Sequence, residues 1–151
     1  MITIHRLISS CLGIGYIQKG SGTVAALVCC ICWYFIFRND DNYFLQVLIT
    51  VSITLVGIFS AGKVETGWGK DSSKVVIDEV AGMCVSLLIV PVQWKYLLVA
   101  FVLFRFFDIA KPLFIRKLEV LPGGYGVMAD DLLAAIYTNA IMQIIIFNKL
   151  F

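Results

Sequence analysis

Asp78-Glu79, Asp108 and Asp130-Asp131 interrupt a chain that is otherwise strongly apolar. Each cluster stands at the start or end of a hydrophobic run. A carboxylate there is costly unless paired, hydrated or metal-bound, so it marks a functional site by default. Cations or small residues accompany each cluster: Lys63, Lys70 and Lys74 before the first, Arg105 and Lys111 around the second, Gly123-Gly124-Tyr125-Gly126 before the third. Together they point to metal-assisted phosphate chemistry. A phosphomonoester is close to a dianion, and its transfer asks of a protein mainly positioning and charge neutralisation. Mg²⁺ is the usual agent, held by one or two carboxylates while it keeps several waters. One such ion, or a pair, orients a water, lowers its pKa and stabilises the departing oxygen. Histidine cannot supply another metal site or a Ser–His–Asp or Cys–His nucleophile, since His5 is the sole imidazole. A covalent aspartyl-phosphate stays open; attack by water is the simpler reading.

Spacing adds geometry. Residues three apart share a helix face, so Arg105, Asp108 and Lys111 would stack along one edge, with Pro112 ending or kinking the helix behind them. Arginine's planar fork suits phosphate oxygens, which makes this run a phosphate clamp beside a metal ligand. The bland alternative is a snorkelling, self-neutralising membrane end. Asp130-Asp131 are expected to open a helix after a glycine-rich turn, either as simple cap and first-turn charges or as part of the site. Gly123, Gly124 and Gly126 allow close backbone approach to an anion, although their spacing is neither a Walker loop nor a dinucleotide fingerprint. Gly20-Ser21-Gly22-Thr23 is a similar element ahead of the first apolar run.

The elements that must position these groups follow from composition. Of 151 residues, 60% are hydrophobic and 15% charged, with mean hydropathy +0.93; soluble domains run nearer half apolar and a quarter charged. The expectation is an all-α, multihelical integral membrane protein, one domain over residues 1–151. A net charge of +2 gives no argument for nucleic acid. Five apolar stretches, 23–37, 43–61, 75–92, 96–107 and 132–147, read as about five membrane-associated helices. Only the second is comfortably long for a span of about 20 residues, so others could be re-entrant or end in a hydrated rim. Residues 7–17 read as an interfacial or buried helix rather than a signal sequence. Five spans put Arg6, Lys19, Lys63, Lys70, Lys74, Arg105, Lys111, Arg116 and Lys117 on one face, and Arg38, Lys95 and Lys149 on the other. This bias places the first face, and the N-terminus, in the cytoplasm. The cations alone set that topology, yet it gathers Asp71, Asp78, Glu79, Asp108, Asp130 and Asp131 on the same face. The cysteines, Cys29-x-x-Cys32 included, read as small packing residues.

At this point the motifs resemble a bacterial membrane enzyme family, phosphatidylglycerophosphatase A, over most of the chain. The matching positions are Gly22-Thr23 with Leu27, Asp71, Val75-Val76-Ile77-Asp78-Glu79 and Gly82-Met83. They continue through Phe104-Arg105, Asp108, Lys111-Pro112, Gly123-Gly124, Gly126, Met128 and Asp130-Asp131. The resemblance implies Mg²⁺-dependent hydrolysis of phosphatidylglycerophosphate to phosphatidylglycerol and inorganic phosphate, in phospholipid biosynthesis at the cytoplasmic membrane. By position it implies that Asp78, Glu79, Asp108, Asp130 and Asp131 are metal ligands or water-activating groups. Arg105 and Lys111 would hold phosphate, with Gly22, Thr23, Gly123 and Gly124 shaping the pocket. The chain departs from the family pattern at Ser21 and Ser72, where proline is usual, at Ala25-Ala26, where a Gly-Ser pair is usual, and at Ala135, commonly glycine. These changes loosen the role of the first loop and of close helix packing; the charged positions are intact. Two other classes fit less well. A CDP-alcohol phosphotransferase needs an Asp-Gly start that is absent, and a non-enzymatic membrane subunit would scatter its charges through the spans.

Overall fold

A computed structural model describes residues 2–39, 42–70, 72–112, 114–118 and 120–150, and within them the protein is all-helical. Helix α1 (Ile2–Ser9) is followed by a 3-10 turn (Ile14–Tyr16), then by α2 (Ser21–Phe37), α3 (Tyr43–Trp68), α4 (Ile77–Ser86), α5 (Trp94–Ala110), α6 (Ile115–Leu118) and α7 (Gly123–Phe147). Asn42 caps α3, its side chain accepting from the Leu45 amide. No charge falls between Tyr43 and Gly62 in α3 or anywhere in α2. Both α3 and α7 are long and apolar enough to cross a membrane.

The short α4 lies at the centre, packed on by α2, α3, α5 and α7. Met83 of α4 and Leu87 just after it join Trp33 and Phe37 of α2, Phe104 of α5 and Met142 of α7 in one buried core. A second cluster, with Val64, Ile77, Ala81 and Met128, fills the space between α3 and the start of α7. Those two helices cross almost backbone to backbone. A Cβ on Gly124 would lie 1.9 Å from the Ile58 carbonyl oxygen, so only glycine fits there. Gly57 meets Met128 in the same crossing, which makes α3 and α7 antiparallel. Ala25, Ala26 and Ala135, the departures in small-residue positions, are all fully buried.

Residues 7–17 are not one helix but the end of α1, a turn with positive φ at Cys11, Leu12 and Gly13, and the 3-10 turn, and three further expectations about the elements change. The stretch 75–92 is not one span. Helix α4 has ten residues, about 15 Å of rise, which is half of a hydrocarbon core of about 30 Å. The chain then turns through Ile89, whose φ of 57° is unusual for a β-branched residue, toward Pro91. Leu87 and Val90 stay buried through the turn, so hydropathy cannot distinguish it from helix. Second, α3 runs past Ala61 to Trp68 and carries Lys63 and Glu65. Third, the glycines at 123, 124 and 126 are not a turn; they form the first turn of α7, and Asp130-Asp131 lie two turns inside it.

A helix that ends among apolar side chains strands its last carbonyls, which must be paired inside the protein. Here α7 supplies the partners, and α3 pairs an amide of the following turn. Asn139 Nδ2 donates to the carbonyls of Val85, Ser86 and Leu88. Gln143 Nε2 donates to those of Leu88 and Ile89, and Gln46 Oε1 accepts from the Ile89 amide. Asn139 serves the end of α4 while Asp131 lies by its start, so α4 and α7 run parallel.

Candidate active site

The start of α4 is the reverse of its end. Asp78 and Glu79 lie in its first turn, the end of a helix that favours negative charge. Single carboxylate oxygens of Asp78, Glu79 and Asp131 lie within 4.8 Å of one another. Asp131 is buried, and the inner oxygens Asp78 Oδ1, Glu79 Oε2 and Asp131 Oδ2 have no hydrogen-bond partner. Three carboxylates at this distance, shielded from water, repel one another unless a cation lies between them. The donor set is all oxygen and anionic, which suits a hard divalent cation. These three residues could hold one.

The other two carboxylates already have cations. Asp108 Oδ2 accepts from Arg105 one turn earlier on α5. Asp130 Oδ2 accepts from Lys111 Nζ at 2.5 Å. Lys111 does not extend the α5 edge as the i, i+3 spacing predicts. It is the C-cap, with φ 44° and ψ 52°, and its side chain turns away to α7. Arg105 keeps its Nε buried and unpaired, and Asp130 Oδ1 is likewise without a partner. The charges of Asp108 and Arg105 act on Glu79, and that of Asp108 on Asp131, so the paired and unpaired groups form one constellation.

Helix α2 closes one side. A Cβ on Gly22 would lie 1.8 Å from Glu79 Oε1, so the α2 backbone itself is the wall against which that carboxylate rests. Thr23 follows on the first turn, half-buried. Gly123 and Gly124 lie elsewhere, against Glu65, Ile58 and Gly62 of α3, about 10 Å along α7 from Asp131. Asp71, expected on the same face, lies outside the described residues. Neither His5 nor a cysteine enters the constellation. The His5 ring faces Ser60 Oγ at 3.2 Å and packs edge-on against Phe59. All five cysteines are free. Cys29 and Cys84 bring their sulfurs to 3.5 Å in the core, Cys32 is exposed, and burial pushes the Cys11 thiol up to about 12, far from thiolate chemistry.

Sequence reasoning missed Gln46, Asn139 and Gln143. An isolated amide in an apolar run carries no sign of a broken helix to be capped. The one available signal was the Asn139–Gln143 spacing, which puts two amides on one face of α7.

Residues 7–146 match the sequence family described as Phosphatidylglycerophosphatase A. A Bacteroides thetaiotaomicron protein described as "Putative phosphatidylinositol-3-phosphatase" is 40% identical over 144 residues, 91% of each chain. The Phosphatidylglycerophosphatase A of Haemophilus influenzae is 42% identical over 94 residues, 60% of this chain and 58% of its own. That of Escherichia coli K12 is 30% identical over 128 residues, 82% of this chain and 73% of its own. No solved structure matches.

Proposed function

The chain belongs to the phosphatidylglycerophosphatase A family and is a phosphatase, and we propose that it removes the terminal phosphate of phosphatidylglycerophosphate at a membrane surface. The observation that carries the reading is the unpartnered triad of Asp78, Glu79 and Asp131 beside the paired Arg105 and Lys111. Five carboxylates face two cations, so a dianionic phosphate would be repelled by the bare site. Mg²⁺ fits this deficit, held by Asp78, Glu79 and Asp131, and when bound it would supply the charge neutralisation and water activation that phosphate hydrolysis needs.

The chain's own residues then divide the work. Arg105 has a buried Nε to offer a phosphate oxygen while its other arm stays on Asp108. Asp108 thereby orients the guanidinium, and Asp130 does the same for Lys111. Gly22 fixes Glu79 by backbone contact. Asp130 Oδ1, buried and unpaired, is a further acceptor at which a water could be oriented or its proton taken up.

Membrane embedding is supported by the outer faces of the helices. Phe35, Phe44, Leu55, Phe59, Val102, Phe106 and Ile109 are all exposed. Only 28% and 33% of the most apolar stretches of α3 and α7 are buried within the protein, where a soluble core helix would be mostly enclosed. Arg105 and Lys111, lying beside the carboxylates, favour placing that face toward the cytoplasm of a bacterial inner membrane.

Phosphate release by the purified protein tests this. Phosphatidylglycerophosphate should be hydrolysed, activity should vanish with a chelator, and Mg²⁺ should restore it. Phosphatidylinositol 3-phosphate belongs in the same assay, because the Bacteroides relative carries that name. Faster release from the inositol lipid would reassign the substrate, and release surviving thorough chelation would remove the metal.

A further inference from the structure

An apolar groove of about 310 Å³ runs between α2 and α5, walled by Leu27, Ile31 and Tyr34 on one side and by Trp94, Leu98 and Phe101 on the other. Its position relative to the carboxylates is set by helical spacing. Thr23 lies one turn before Leu27 on the same stripe of α2, and Arg105 lies one turn after Phe101 on the same stripe of α5. These helices pack on each other and on α4, where Gly22 of α2 touches the Glu79 carboxylate and Phe104, next to Arg105 on α5, touches Gly82. The groove therefore begins where the phosphate clamp ends.

We propose that this groove is the acyl-chain subsite of the enzyme, seating one fatty chain of the phospholipid whose phosphate lies at the carboxylate site. The inference rests on the phosphatase reading above and names how that site holds its lipid. Length supports it. From Arg105 back to Trp94 is about 16 Å of helix, a groove long enough to seat much of an extended fatty chain. The single turn between Arg105 and Phe101 leaves room for the glycerol backbone. Chemistry supports it as well, because the walls named above include no charged side chain, while the polar groups resume at Thr23 and Arg105. Leu27, Ile31 and Leu98 are exposed, so a chain can enter sideways from the bilayer. Binding there spends energy far from the reacting bond to hold the phosphate in place.

The test compares dihexanoyl and dioleoyl forms of phosphatidylglycerophosphate in mixed detergent micelles. Wild-type enzyme should favour the long-chain lipid in kcat/KM. Filling the groove with Ile31→Trp and Leu98→Trp should lower the long-to-short ratio by about tenfold, the scale on which an apolar pocket discriminates. A ratio unchanged in a variant that still turns over would overturn the subsite. Labelling of wild-type protein by a diazirine at mid-chain of the same lipid gives an answer independent of variant folding. Adducts on Leu27, Ile31, Leu98 or Phe101 support the groove, and adducts confined to the outer face of α3 reject it. If wild-type protein releases phosphate from neither lipid, the phosphatase reading falls and the subsite with it. If it releases phosphate at equal kcat/KM from both, only the subsite falls.

Discussion

At its C-terminal end α4 exposes carbonyls to an apolar interior, and the side-chain amides of Asn139 and Gln143 on α7 take them up, while Gln46 of α3 accepts from the Ile89 amide. At its N-terminal end, one helix length away, the protein gathers Asp78, Glu79 and Asp131 and leaves their inner oxygens with nothing. Both ends bury polar atoms, and α7 serves both. The same fold that satisfies peptide groups with care leaves its most expensive charges unmatched. Buried polar atoms without partners cost stability, about 1–3 kcal/mol each and more when charged. Near the C-terminal end Gln46 Nε2 is unpaired, whereas at the other end four carboxylate oxygens, of Asp78, Glu79, Asp130 and Asp131, are unpaired together, the pattern expected of a site that a ligand completes.

The sharpest way to break this contrast is at the unmatched end. Asp78→Asn and Asp131→Asn should each reduce phosphate release at least about a hundredfold, and the double variant should lose little more, as for residues acting as a unit. Thermal unfolding in detergent should be unaffected or raised, because each change removes mutual repulsion. Mild, additive losses accompanied by lower stability would make the triad structural, like the opposite end.

Gly22→Ala tests whether the α2 backbone positions Glu79. The added methyl cannot coexist with Glu79 Oε1 where it stands, so activity should fall about tenfold or more with helical content, read by circular dichroism, retained. Wild-type turnover would mean that Glu79 is free to move without consequence. Arg105→Lys keeps charge but loses the fork that serves Asp108 and leaves Nε over. The expected loss is several-fold, and normal turnover would return Arg105 to the role of a membrane-end cation.

The smallest effect on turnover belongs to the satisfied end. Asn139→Leu should lower stability by about 1–2 kcal/mol while leaving kcat within a few-fold. Gln143→Leu should do less, since Leu88 would keep the Asn139 amide. Loss of activity without loss of stability in Asn139→Leu would erase the distinction between the two ends.

Much of the site was legible because charge in an apolar chain is conspicuous. Asp78, Glu79, Asp108 and Asp131 stood out for that reason, and the Arg105–Asp108 spacing predicted a contact that forms. Illegible features were those where two conformations share one hydropathy. The run through Leu87, Ile89 and Pro91 is apolar whether it spans or turns back into the core. Glycines at 123 and 124 read as a loop because glycine is a poor helix former, yet the contact with Ile58 and Gly62 outweighs that preference. Lys111 pairs with Asp130, nineteen positions later, a link that no local spacing encodes.

The parallel seating of α4 against α7 also fixes an order of assembly. In a growing chain α4 emerges well before α7, so the carbonyls at its end wait for partners that a later helix supplies. Until α7 arrives, Asn139 is missing from one end and Asp131 from the other. The candidate site is therefore incomplete in any chain too short to contain α7, because Asp131 is one of its three clustered carboxylates.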